Sequence, residues 1–394
     1  MKNIIKLFLL LISLSVAGQT VSMEEAVAIA LTNHPVARNI ALTERKGALL
    51  HIQAAPTQVR YWQRGTMSGN DRIWSVTQDF GSIPAHFRQV QHNRTSALTR
   101  QAESALTLDE LEWRVKAAYL DLVYHELRLQ TMLDHAHYFE ALISLAEINL
   151  FPDSLADALV KVSTGIRYGA YQRSMYIAEE EFNRAEIRLR QLMYIHDGKI
   201  VPRETELYLY QIHPNRQFYE RFDPIKRNSL SEAQLNEAKS AVNLEKSKLF
   251  PAIHAGYIHQ NIEGVSANYQ GWMVGLSVPL WTQLQRTRIK EAEIDVIIAA
   301  NVTEYRQFAD RQYAESLRSL LNEYFVQISF SRENSLIEAE LILEEIKKDF
   351  SEGRINDFAE AFTKLNAAVY AKLNHMEYMN LYNQTALELE YYTQ

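Results

Sequence analysis

Two long stretches without proline constrain the fold of this chain most strongly. The first runs from Arg88 to Ile148, and apolar or small residues recur within it at alternating spacings of three and four. Clear members of this pattern are Leu108, Leu111, Val115, Ala118 and Leu122. The second stretch, from Gln285 to Phe350, has a similar rhythm. Such spacing is typical of helices that pack along a coiled-coil seam. The sequence therefore predicts helices over 88–148 and 285–350, roughly 90 and 100 Å long.

The composition is consistent with continuous helices and excludes several kinds of site. The chain has 394 residues but only 13 glycines and 9 prolines, so residues that interrupt helices are scarce. It has no cysteine, which excludes disulfides, thiolate metal sites, iron–sulfur clusters, thiol nucleophiles and lipid attachment through cysteine. The net charge of −7, without basic runs, argues against a nucleic-acid partner.

Residues 1–18 are predicted to form a secretory signal peptide. Lys2 and Lys6 give a positive start, an apolar run follows over 7–12, and residues 16–18 form a small-residue cleavage site. A membrane anchor is the alternative, but the apolar run is well short of the ~20 residues that a bilayer-spanning helix needs. We therefore expect an exported chain, which could span a membrane only as a closed barrel.

A hairpin pattern that starts at a proline precedes each long helix, over 56–80 and over 251–280. Turn residues separate β-branched and aromatic runs in both patterns. In the second hairpin, alternate residues form an apolar face, which is typical of a strand with lipid on one side. This face consists of Trp272, Val274, Leu276 and Val278. A hairpin half-buried on a soluble protein is the alternative. The first hairpin fits lipid less well, because Arg60, Gln63 and Arg64 are polar.

The predicted elements occur twice along the chain. A helix over about 22–54 precedes the first hairpin, and a return helix over about 171–193 follows the break near 151–153. The second half repeats this order, with helices over about 226–249 and 357–389. We therefore expect a first repeat at 19–200, a linker at 201–224 and a second repeat at 225–394. In each repeat, the two shorter helices together match the length of the long helix.

Short motifs in this order resemble the TolC family of outer-membrane efflux and secretion channels. The segment 21–35, with its Asn33-His34-Pro35 end, resembles the family's N-terminal helix. Residues 249–251 and 271–281 resemble the second hairpin and the turn into the long helix. Gly353-Arg354-Ile355-Asn356 resembles the turn at the periplasmic tip. The resemblance covers essentially the whole chain after residue 18, and the order and spacing of the motifs carry it.

The resemblance implies a mainly α fold with a small β part. Duplicated long antiparallel helices would form a periplasmic α-barrel, and two β-hairpins, four strands per subunit, would contribute to a trimeric outer-membrane β-barrel. The implied location is the outer membrane, with the helices extending into the periplasm. The expected membrane residues are Trp74, Val76, Tyr257, Trp272, Val274, Leu276 and Val278. The expected tip residues are Gly353, Arg354, Ile355 and Asn356 at one tip and Gly165 or Gly169 at the other; helix capping is the alternative role for these glycines.

The implied partners are two further copies of the chain, outer-membrane lipid, a periplasmic adaptor (membrane fusion) protein and an inner-membrane pump of the resistance-nodulation-division type. No arrangement of catalytic residues, phosphate-binding loop or metal-ligand set is apparent, so we expect neither an enzyme nor a cofactor. Three alternatives remain at this point: the outer-membrane duct of a type I protein secretion system, a soluble periplasmic coiled-coil adaptor and an exported enzyme.

Overall fold

The computed structural model describes residues 19–48, 57–66, 69–149, 155–211, 225–261, 268–278, 282–355 and 357–393. The predicted signal peptide at 1–18 lies outside these ranges, as do Asn356 and the expected break at 151–153. The described chain is mainly α with a small β part, as predicted.

The first half contains the elements β1 (Gln19–Val21), α1 (Met23–Asn33), α2 (Pro35–Ala48), β2 (Gln58–Thr66), β3 (Gly69–Gly81), α3 (Ile83–Asn149), α4 (Leu155–Met193) and β4 (Ile200–Pro202). The second half contains α5 (Ile225–Ser247), β5 (Ala252–Asn261), β6 (Asn268–Ser277), α6 (Gln283–Phe330), a π-helical turn (Ser331–Ser335), α7 (Leu336–Glu352) and α8 (Phe358–Thr393). Each half thus has a helix, a hairpin, a long helical segment and a return helix in the predicted order.

The long helices start and end close to the predicted positions. Helix α3 has 67 residues, and the seam residues Leu111, Val115, Ala118 and Leu122 are all buried. The predicted helix over 285–350 exists, but the π-helical turn interrupts its regular α-helical bonding. The first return helix, α4, starts earlier than the predicted residue 171, and the second, α8, ends later than the predicted residue 389.

The helix predicted over 22–54 is interrupted at His34. Ser22 and Glu25 form a capping box that starts α1: the Glu25 N–H donates to Ser22 Oγ (3.3 Å), and the Ser22 N–H donates to Glu25 Oε2 (2.8 Å). His34 has extended backbone angles because the ring of Pro35 disfavours a helical conformation in the residue before it. Pro35 then starts α2, where its missing N–H costs nothing.

The described strands form two sheets. Strands β1 and β4 pair in parallel, from Gln19 opposite Ile200 to Val21 opposite Pro202. The other four strands form an antiparallel sheet in the order β2-β3-β5-β6, so the two predicted hairpins lie side by side. Strand β4 therefore covers the start of the linker predicted at 201–224. The sequence pattern gave no indication of this strand.

Two compact units divide the chain differently from the sequence repeats. The first unit comprises residues 1–39, 107–224 and 310–394, and the second comprises 40–106 and 225–309. The helical unit contains three apolar clusters, centred on Leu122 with Leu189, on Phe139 with Phe362, and on Leu317 with Leu389. The second unit contains the four-stranded sheet and the helix ends that adjoin it.

Candidate membrane-facing sheet and helix tips

The four-stranded sheet has one largely apolar face. Its register places Tyr61 opposite Trp74, Val76 opposite Tyr257, and Tyr257 opposite Trp272, so these side chains project to the same side. We call this surface the apolar face. Its apolar members are Val59, Tyr61, Trp74, Val76, Phe80, Ile253, Ala255, Tyr257, Trp272, Val274 and Leu276, and Gln78, His259 and Gln270 project to the same side.

The apolar face is largely exposed in a single copy of the chain. Trp272 is 85% exposed and Val274 is 78% exposed, although both are large apolar side chains. Six of the seven expected membrane residues belong to this face, and Val278 follows directly after β6 and is also exposed. A contiguous apolar surface of this kind marks a contact with a membrane or another protein.

Aromatic rings cross the apolar face from strand to strand. The ring centroids of Trp74 and Tyr257 lie 5.5 Å apart, and those of Tyr257 and Trp272 lie 5.3 Å apart. The Tyr257 hydroxyl donates to Gln270 Oε1 at 2.8 Å. Aromatic residues with a polar end are typical of the girdles that flank the lipid-facing band of membrane strands.

The opposite face of the sheet is more polar, and two of its glycines are covered closely by neighbouring side chains. Arg60, Thr77 and His254 project from it. The His254 ring lies over Gly275, where an added Cβ would come within 2.1 Å of Nε2. A second glycine, Gly256, lies beneath Thr77, and an added Cβ there would come within 2.7 Å of the Thr77 methyl group. Glycine at these positions therefore allows larger side chains of neighbouring strands to cover the backbone.

Of the polar residues of the first hairpin, Gln78 lies within the apolar face, between Val76 and Phe80 and opposite Ala255, but Arg60 and Gln63 do not interrupt it. Arg60 projects from the opposite face, because it pairs with Ser75 rather than with a residue of the apolar rows. Gln63 does project to the apolar side, but it pairs with Arg72, one row beyond Tyr61 and Trp74. The side chain of Arg64 lies outside the described residues. The first hairpin therefore contributes to the same surface as the second, although its polar residues had suggested a poorer fit to lipid.

The second long helical segment ends at Gly353, whose backbone has the left-handed conformation. Gly353 has φ +66° and ψ +27°, a conformation that glycine adopts without a Cβ clash. Its neighbour Arg354 donates its N–H to the Asp349 carbonyl at 3.0 Å, and its guanidinium forms ion pairs with Asp349 (3.6 Å) and Glu352. Asp357 Oδ1 then accepts the Glu360 N–H at 2.9 Å, so it caps the start of α8.

A charged depression of about 240 Å³ lies beside this tip. It is bounded by Glu345, Ile346, Asp349, Arg354, Ile355 and Lys364, among others. The ammonium group of Lys364 lies 3.0 Å from Glu360, and this pairing raises the Lys364 pKa. Three of the four expected residues of this tip thus lie together, and Asn356 is outside the described residues.

Gly165 and Gly169, the expected residues of the first tip, lie in the interior of α4, at least ten residues after its start at Leu155. An added Cβ would meet no atom within 4 Å at either position. The alternative role of helix capping is therefore wrong for both glycines, and their contact with an adaptor stays a prediction. The connection between α3 and α4 falls in 150–154, outside the described residues.

Sequence patterns missed a buried polar connection around Tyr119. Its hydroxyl donates to the Val21 carbonyl at 2.8 Å, accepts the Arg203 N–H at 3.1 Å and contacts the Glu204 carboxylate. Burial raises the pKa of Glu204. The Arg203 guanidinium also bonds to both carboxylate oxygens of Glu25 at 2.9 Å. These contacts hold β1 and β4 to α3, and no spacing rule links residues so far apart in sequence.

Among the described helices, none has a stretch both long and apolar enough to cross a membrane. Within the described ranges, no group of three or more histidine, aspartate or glutamate side chains is arranged to hold a metal ion.

The fold is that of outer-membrane channels of known structure. No protein-family model and no curated protein matches the sequence. Similar solved structures include a CusC structure (12% identity, TM-score 0.75, 95% of this chain and 92% of that one) and the open-state MtrE channel of Neisseria gonorrhoeae (11%, 0.73, 94% and 88%). A third is the outer-membrane protein VceC of Vibrio cholerae (11%, 0.70, 94% and 94%).

At these identities the likeness concerns the fold. The chain has the architecture of this class of outer-membrane channel proteins over nearly its whole length, and the expected subunit fold, mainly α with two β-hairpins, is confirmed.

Proposed function

We propose that the chain is the outer-membrane channel subunit of a tripartite efflux pump. In this role, three copies form a passive duct that conducts substrates from an inner-membrane pump and its adaptor across the periplasm and the outer membrane. The observation that carries the proposal is the exposed apolar face of the sheet, where Trp272 and Val274 would be stable in lipid but not in water.

The edges of the sheet support assembly from several copies. Among the described strands, β2 and β6 each pair on one side only. An open strand edge cannot be tolerated in lipid, because its N–H and C=O groups would lack hydrogen-bond partners. Pairing of β6 with β2 of the next copy would satisfy both edges and close a barrel, and three copies would give twelve strands.

An apolar stripe on α6 supports the same assembly. Large apolar side chains recur at helical spacing along the second unit's part of this helix and are more than half exposed. They are Ile294, Ile297, Ile298, Tyr305 and Phe308. A neighbouring copy would cover this stripe and remove it from water, whereas a monomer would leave it exposed.

The tip at Gly353, Arg354 and Ile355 is the proposed contact for a periplasmic adaptor, which would connect the duct to a pump of the resistance-nodulation-division type. The depression beside Arg354 offers both charged and apolar groups to such a partner. Gly165 and Gly169 would contribute as small residues on the α4 surface, with open space around them for a partner. A type I secretion system would use the same duct and tip.

A soluble coiled-coil adaptor is the competing function from another class. It would keep the two hairpins as packing elements, but the apolar face would then need a covering partner of its own. Nothing in the described part of the chain covers Trp272 or Val274. We therefore favour the channel.

Fractionation combined with native mass determination tests the proposal. We expect the full chain in outer-membrane fractions as a trimer that dissociates on heating in detergent. A monomer in the soluble periplasmic fraction would contradict both the membrane location and the trimer. Crosslinking from Arg354→Cys, with Arg188→Cys near the far end of α4 as the matched control, would then identify the adaptor; equal crosslinking from both positions would contradict the tip assignment.

A further inference from the structure

Basic residues are concentrated where the helices meet the four-stranded sheet. We call the segments 80–94, 245–252 and 282–290 the collar; in them β3 leads into α3, α5 leads into β5, and β6 leads towards α6. The collar contains seven lysines and arginines and one acidic residue, Glu245, although the whole chain has a net charge of −7; three further carboxylates, Asp79, Glu291 and Glu293, border it. The basic residues are Arg88, Arg94, Lys246, Lys248, Arg286, Arg288 and Lys290.

Hydrogen bonds hold the three segments of the collar together. Ser82 Oγ donates to the Ser247 carbonyl at 3.3 Å. Gln285 Nε2 donates to the Glu245 carbonyl at 2.9 Å and to its carboxylate at 2.8 Å. These bonds connect the start of α3, the end of α5 and the start of α6. The concentration of charge is therefore a property of one fixed surface rather than of three independent loops.

The positive charges of the collar are exposed and only partly neutralised. All seven basic side chains are exposed. Glu245 pairs with Lys248 at 2.5 Å, and Lys246 pairs with Glu293 at 2.8 Å. Glu245 is also close enough to Arg288 for the charge of that guanidinium to help lower the Glu245 pKa, so one carboxylate is shared between two basic side chains. Like charges at such close spacing repel one another, so an anionic partner would stabilise this surface.

Exposed apolar side chains lie among these charges. Phe87 is 69% exposed and Leu284 is 67% exposed, and Phe80, Ile83 and Phe250 are each more than half exposed. Phe80 belongs to the apolar face, so this surface continues it beyond the end of the strands. Aromatic and aliphatic groups mixed with lysine and arginine are typical of the boundary between hydrocarbon and lipid headgroups. A soluble polyanion would match the charges but would leave the phenylalanines in water.

We propose that the collar binds the anionic phospholipid headgroups of the leaflet on the helix side of the sheet. The phenyl and aliphatic groups would lie at the headgroup level, and Arg88, Lys248, Arg286 and Arg288 would bind lipid phosphates. This inference rests on the proposed function, because the apolar face must first be in lipid. It adds a chemical selectivity: the subunit prefers phosphatidylglycerol-type lipids over zwitterionic ones.

The test compares two variants of the full chain that lose equal charge. The collar variant is Arg88→Gln, Lys248→Gln, Arg286→Gln and Arg288→Gln; the control is Lys161→Gln, Arg173→Gln, Arg184→Gln and Arg188→Gln on α4. Each protein is extracted from vesicles containing equal amounts of phosphatidylglycerol and phosphatidylethanolamine, and retained lipids are counted by native mass spectrometry. We expect the wild type and the control to retain phosphatidylglycerol preferentially, and the collar variant to lose at least about tenfold of this preference.

Several outcomes would overturn the inference. One is an unchanged preference in the collar variant, and another is an equal loss in the control. Displacement of the lipid by inorganic phosphate, beyond the effect of sodium chloride at the same ionic strength, would assign the site to free phosphate instead. The charge-conserving variant Arg286→Lys with Arg288→Lys should keep the preference, which separates loss of charge from loss of folding.

Flotation with neutral vesicles separates this inference from the proposed function. If the wild-type chain floats with phosphatidylcholine vesicles but shows no preference for anionic lipid, only the collar inference fails. If the chain floats with neither neutral nor anionic vesicles, the membrane location itself fails.

Discussion

The hydroxyl oxygen of Tyr119 in α3 lies 2.8 Å from the main-chain carbonyl oxygen of Val21 in β1. The same hydroxyl accepts the N–H of Arg203, which follows β4. One buried side chain, 1% exposed, therefore holds both strands of the small parallel sheet to the first long helix. Two three-residue strands could not be stable alone, since each forms only a few hydrogen bonds.

Tyr119→Phe should destabilise the helical unit by about 1–3 kcal/mol, because it leaves buried hydrogen-bonding groups without their partner. Thermal unfolding followed by circular dichroism measures the effect. Tyr208→Phe is the matched control, since that residue is 65% exposed and its hydroxyl donates to the exposed Glu206 carboxylate at 3.1 Å. An equal change in both variants would contradict the structural role of Tyr119.

Val274→Lys should prevent stable insertion of the sheet, because it places a charge on the apolar face at a cost of about 2–4 kcal/mol near the middle of a bilayer. The neighbouring change Met273→Lys places the same charge at the same depth on the opposite face. We expect far less trimer in the outer-membrane fraction for Val274→Lys than for Met273→Lys. Equal amounts of the two would mean that the apolar face does not contact lipid.

Gly353→Ala and Gly165→Ala should change stability in opposite directions. Gly353 has φ +66°, so a Cβ there costs about 1 kcal/mol. Gly165 lies inside α4 with open space around it, so alanine should stabilise that helix by up to about 1 kcal/mol. We expect the melting temperature to fall for Gly353→Ala and to rise for Gly165→Ala, each relative to the wild type. A loss of stability in Gly165→Ala would indicate a close contact with a partner at that position.

The stability of the helical unit should fall as the pH falls below about 6.5, the ordinary pKa of histidine. Burial lowers the pKa of His125, whose Nε2 lies 3.6 Å from Asp121 and whose Nδ1 has no hydrogen-bond partner in the described residues. As the pH falls, the unfolded chain therefore binds a proton before the folded chain does, and each proton so gained costs up to about 1.4 kcal/mol per pH unit.

His125→Asn removes this difference in proton binding. Unfolding by urea between pH 5 and pH 7.5 should show a weaker dependence of the unfolding free energy on pH for the variant than for the wild type. His135 and His375 also have pKa values lowered by burial, so part of the dependence should remain. Identical slopes would show that His125 does not contribute.

The elements that follow from repeated patterns could be predicted from sequence. The seam of α3 is one example, because Val115 and Leu122 recur at a spacing that only a long helix places on one side. The apolar face is another, because Trp272 and Val274 alternate with residues of the other face. Local regularity of this kind does not depend on what the chain contacts elsewhere.

Two kinds of feature could not be predicted: contacts between residues far apart in sequence, and unfavourable residues that a long helix tolerates. Helix capping was the alternative role for Gly165, but a single glycine costs a helix only about 1 kcal/mol, and a helix of 39 residues can compensate for that. The interruption at His34 did have a signal in Pro35, which favours a helix start over a helix interior. The pairing of β1 with β4 and the contacts of Tyr119 had no local signal, since they join residues 19–21 to residues 200–204.

The parallel pairing of β1 with β4 also constrains the order of folding in an exported chain. Residues 19–21 would cross the inner membrane early, but their strand partner at 200–202 would follow only after both strands of the first hairpin and the whole of α3 and α4. Strand β1 would therefore lack its partner until half of the polypeptide had been exported. Final closure of the helical unit is consequently a late step, and a chain truncated before residue 200 would be left with a loose beginning.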